Sequence, residues 1–130
     1  KAVTLREGSD VTIVAVGPTL PDAMTAAEIL TQKGVSARVL NMHTVKPADR
    51  EAILAAANQT RLIVTIEEHT VIGGLGGAVG EVLAEAGAAT PLKRLGLQDV
   101  FACMVGRYED VRERFGISAE AVVEAVMGQA

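Results

Sequence analysis

Residues 65–87 read TIEEHTVIGGLGGAVGEVLAEAG. Glu67, Glu68 and His69 bring two carboxylates beside an imidazole, and Gly73, Gly74, Gly76 and Gly77 follow closely. Two kinds of chemistry suit such residues. A neighbouring carboxylate could orient His69 for acid–base work. A glycine turn that opens a helix could present backbone amides to an anion. Each has a plain structural alternative. In a strand, residues 67 and 68 point to opposite faces, so at most one acid shares a side with the imidazole. The stretch holds no Ser or Cys to complete a triad. Exposed acids at a strand end are expected to be solvated or to cap a helix.

The glycines fail the dinucleotide fingerprint by one residue. Gly74-Leu75-Gly76 fits its first half, but Val79 stands where the third glycine belongs, and Gly80 comes one position late. A Walker loop is excluded, because Glu81 and not Lys follows Gly80. An independent nucleotide-dependent enzyme is therefore disfavoured. Small residues also let a helix start close to a sheet, and that packing reading is preferred. His43 ends one strand candidate as His69 ends another, so the two could meet at the carboxyl ends of parallel strands. No third ligand stands at convincing spacing, and no metal site is expected. Cys103 is expected to be a small buried hydrophobe.

The elements that must position these residues alternate. Val11–Val16 is a β-branched run, apolar enough to be buried on both faces, and Gly17-Pro18 ends it. Thr19 and Pro21 open a helix with Leu20, Ala23, Met24, Ala27 and Leu30 on one face, and Gly34 stops it. A second strand is expected over 35–42. Lys46-Pro47-Ala48-Asp49 opens a second helix facing inward through Ile53, Ala56 and Ala57. A third strand spans 62–66. After the glycine turn comes a helix with Val79, Val82, Leu83 and Ala86 inward, closed by Gly87. Leu92–Leu97 is a fourth strand, 98–107 a loop, and 108–115 one or two helical turns. Ser118 caps a last helix reaching Met127. Ala2–Leu5 adds an edge strand. Alternating strand and helix imply a parallel sheet covered on both faces.

The 130 residues fit one domain, and 49% are hydrophobic with only two Phe, one Tyr and no Trp. Aliphatic side chains must therefore build the core. Net charge is −4 without a Lys/Arg cluster, which argues against a nucleic-acid partner. No apolar stretch approaches the ~20 residues that span a bilayer, so no membrane partner is expected. A single cysteine excludes an internal disulfide and suits a cytoplasmic setting. A start without Met suggests a segment cut from something longer.

Four stretches taken in order carry a more specific signal: LREGSDVTIVAVGP, GVSARVLNMHTVKPAD, IVTIEEHTVIGGLGGAVGE and FGISAEAVVEAV. Together they resemble the C-terminal domain of the transketolase family of thiamine-diphosphate enzymes, from Lys1 to near Met127. The resemblance implies one domain over 1–130, with three α/β/α layers and a mixed five-stranded sheet. Its edge strand would run antiparallel beside 35–42, and the 11–16 strand would lie between 35–42 and 61–66. It implies a full enzyme that moves a two-carbon ketol unit between sugar phosphates. Thiamine diphosphate and a divalent cation such as Mg would be bound by other domains. This domain would support dimerisation and contribute no catalytic, cofactor or metal residue, leaving His69, Gly73, Gly74, Gly76 and Gly77 as an anion or interface loop. Its partners would be the remaining domains or subunit, in a homodimer. NMHTVKPAD, EEH and GGLGGAV are most similar to the transketolase branch. Deoxyxylulose-phosphate synthase and the beta subunit of 2-oxoacid dehydrogenases are the alternatives inside the superfamily. A non-catalytic, anion-binding regulatory module is the alternative outside it. Val105-Gly106 departs from the family, which often carries Ser-Gly there.

Overall fold

A computed structural model describes residues 2–43, 48–68, 74–96 and 119–128. Its five strands are β1 (Val3–Arg6), β2 (Val11–Ala15), β3 (Ala37–Asn41), β4 (Ile63–Ile66) and β5 (Leu92–Leu95), in the spatial order β1-β3-β2-β4-β5. All neighbours pair in parallel except β1, which runs antiparallel to β3. Four α-helices are described: α1 (Leu20–Gln32), α2 (Arg50–Gln59), α3 (Leu75–Ala86) and α4 (Ala119–Met127). The mixed sheet and its antiparallel edge match the expectation. The expected turns over 108–115, the loop at 98–107, Cys103 and the Ser118 cap lie outside the described residues.

The strand at the centre is β2, and every residue in it is buried. Alternation divides its side chains between two cores. Val11, Ile13 and Ala15 pack with Ala23, Ala27 and Leu30 of α1 and with Val122 and Val126 of α4. Val14 packs on the other face with Ile53 and Ala56 of α2 and with Val79 and Leu83 of α3. Each fully buried Ile or Leu side chain contributes about 2–3 kcal/mol. With few aromatics available, Ala on the helices lets the layers approach closely.

Polar groups set the ends of these elements. The chain leaves β2 through Gly17 at φ 62 and a 3-10 turn over Gly17–Thr19, with α1 following at Leu20. Gly34 at φ 84 and Gly87 at φ 66 close α1 and α3 in the left-handed region that glycine tolerates. Asp49 caps α2 by accepting the Ala52 amide at 3.1 Å, and its other oxygen accepts the Ala2 amide at 2.9 Å. A single carboxylate thus ties the start of β1 to the start of α2. Ala86, expected to face inward, is exposed. The chain reverses at Gly87, and Ala88 packs on the core in its place.

The sheet order creates one switch point. From β2 the chain crosses to β3 on one side, whereas from β4 it crosses to β5 on the other. The carboxyl ends of β2 and β4 therefore lie side by side while their connections diverge. Such a divergence is where open α/β sheets form a crevice.

Candidate functional site

β4 directs Ile63 and Thr65 toward α3, and the same alternation carries Glu67 to that side just past the strand end. Glu67 is 2% exposed. Its Oε1 accepts the Leu75 amide and its Oε2 accepts the Gly76 amide, each at 2.8 Å. The Glu67 amide in turn donates to the Leu95 carbonyl at 3.1 Å. Of the two expectations for this acid, solvation and helix capping, the structure shows capping, and the start of α3 buries the carboxylate. The first amides of a helix lack intrahelical partners and carry its positive end, so a carboxylate is the group that best answers both needs. Charge-assisted bonds of this kind contribute about 1.5–3 kcal/mol each.

Spacing among the glycines follows from how α3 lies on the sheet. Gly74 is the N-cap residue, and its carbonyl accepts the Ala78 amide at 3.0 Å to form the first turn. A Cβ on Gly76 would stand 2.7 Å from Arg94 Cδ and 3.1 Å from Thr65 Oγ1. One turn later, a Cβ on Gly80 would meet Leu92 Cδ2 at 3.5 Å. Residues four apart share a helix face, so Gly76 and Gly80 form one strip laid against β4 and β5. Of the two, only Gly76 needs to lack a Cβ, since Gly80 leaves room for an ordinary contact. Gly77 is half-buried beside this strip.

Thr19 ties the two divergent strand ends together. Fully buried, its hydroxyl lies 2.8 Å from the Val16 carbonyl and 3.0 Å from the Ile66 carbonyl, donating its one proton to either. The turn after β2 is thereby held against the residue that precedes Glu67. His43 is exposed just beyond β3. His69 and Gly73 lie outside the described residues, so of the five loop residues only Gly74, Gly76 and Gly77 are placed.

Among the described residues, no group of three or more His, Cys, Asp or Glu could hold a metal ion. The Leu75 and Gly76 amides, which would serve a diphosphate, are bonded to Glu67. These two amides are therefore not open to a diphosphate. What they build with Glu67 is a braced strand-to-helix turn, with an internal anion where a ligand anion would otherwise go. Sequence reasoning singled out Glu67 and Gly76 but missed Thr19, Thr65 and Arg94 as their supports. The alternation from Ile63 through Glu67 was the available signal.

The family model for the transketolase C-terminal domain matches residues 1–122. The chain belongs to that family. It is 48% identical over 125 residues to a 6-deoxy-6-sulfo-D-fructose transketolase subunit from Clostridium sp. strain MSTE9, covering 96% of this chain and 38% of that subunit. It is 45% identical over 127 residues to the 1-deoxy-D-xylulose-5-phosphate synthase of Thermomicrobium roseum, covering 98% of this chain and 20% of that one. Among solved structures, a split-gene transketolase described as an inactive beta4 tetramer superposes with a TM-score of 0.89 at 43% identity. That match covers 98% of this chain and 41% of that chain. The transketolase C-terminal domain seen here thus spans well under half the length of the proteins it matches. Its strand order is the one the resemblance implied, with β2 between β3 and β4 and the antiparallel β1 at the edge.

Proposed function

We propose that this chain is the C-terminal domain of a transketolase-type enzyme that transfers a two-carbon ketol unit between sugar phosphates. In this reading it braces and helps dimerise the assembly in the cytoplasm. Thiamine diphosphate and Mg are held by the other domains, and the thiazolium carbon supplies the bond-breaking chemistry. The observation that carries the reading is the family match over residues 1–122, joined to high identity with a transketolase subunit. A relative described as a tetramer of beta subunits lends support to self-association. The test has two parts. Calorimetric titration of this chain alone with thiamine diphosphate is expected to show no binding, and ketol transfer is expected only with the remaining domains or subunit. Tight cofactor binding by this chain would sink the division of roles.

The 45% identity to a 1-deoxy-D-xylulose-5-phosphate synthase favours a second reading within the same superfamily. Formation of 1-deoxy-D-xylulose 5-phosphate by the assembled enzyme, without ketol transfer between sugar phosphates, would select it. In either reading His69, Gly73, Gly74 and Gly77 serve as an interface loop, while Gly76 packs inside the domain against β4 and β5.

A further inference from the structure

We draw no further inference here: the strongest candidate, the cavity where the end of β1, the last turn of α1 and the start of β3 meet, lined in part by Arg6, Glu7, Thr31 and Ser36, carries nothing, because the Arg6 guanidinium is already bonded to Glu28 and Thr31, none of the buried polar atoms left without a partner among the described residues belongs to its walls, and nothing in the structure shows what fills it.

Discussion

Glu67 and Gly76 meet at 2.8 Å, carboxylate oxygen to backbone amide, across nine residues of chain. The same glycine has no side chain where Arg94 and Thr65 press against it. A charge and an absence of atoms thus act on one residue. The carboxylate fixes where α3 begins, and the missing Cβ fixes how close the helix lies to β4 and β5.

Replacing Glu67 should destabilise the domain without disturbing the outer faces. Glu67→Gln keeps the shape but loses the charge and turns an NH2 toward a backbone N–H, a loss of about 2–3 kcal/mol. Glu67→Ala should lose about 3 kcal/mol or more, since two helix amides are left unpaired. Urea denaturation with an unchanged slope would report both values. Equal stability of the wild type and Glu67→Gln would remove the charge from the explanation.

Two glycines on one helix should respond with opposite signs. Gly80→Ala meets only an ordinary contact with Leu92 and gains helix propensity, so it should stabilise by about 0.5–1 kcal/mol. Gly76→Ala pushes on Arg94 Cδ and on the buried Thr65, and should lose about 1–2 kcal/mol. Arg94 is exposed, so combining Gly76→Ala with Arg94→Ala should recover part of that loss. Thermal unfolding of the four variants closes the cycle, and strict additivity would count against the contact.

Gly8 has no such relief. A Cβ there would stand 2.2 Å from the carbonyl carbon of Ala37, and backbone in a paired strand cannot swing aside. Gly8→Ala should lose about 3 kcal/mol or more, or fail to fold. A soluble variant with wild-type thermal stability would contradict this.

The buried pair Thr12 and Thr60 gives a coupling measurement. Thr60 Oγ1 donates to the Ala56 carbonyl at 2.7 Å, so the 2.8 Å contact between the two hydroxyls must carry the Thr12 proton. Thr60→Val should lose about 1–3 kcal/mol, because Thr12 is left with a buried, unpaired hydroxyl. The double substitution with Thr12→Val should be milder than the sum of the single losses. A double-mutant cycle with no interaction energy would show that the pair is not coupled.

Several parts of the fold were legible along the chain because they depend on neighbours in sequence. The continuous run at Val11–Ala15 announced a strand buried on both sides, and it is the central one. Gly34 and Gly87 marked helix ends because only a residue without a Cβ enters their left-handed turns easily. Ile53, Ala56 and Ala57 showed the inward face of α2 by their helical spacing. The site was less legible. The motif marked Glu67 as a candidate cap but gave no sign of its burial, which depends on α3 folding back over the end of β4. The packing reading preferred for the glycines could not say which one is required until Arg94 and Thr65 were seen against Gly76.

By itself the sequence determined the order of strands and helices, the aliphatic core and the shortfall of the glycine turn against nucleotide loops. Those are local matters, governed by side-chain period, backbone freedom and composition. Tertiary structure alone decided which groups the turn serves. The sheet order β1-β3-β2-β4-β5 sets the ends of β2 and β4 side by side. Thr19 can then reach the Ile66 carbonyl, and Glu67 can reach the Leu75 and Gly76 amides. Hydrogen bonds act over about 3 Å, and only the folded sheet brings such groups within that distance.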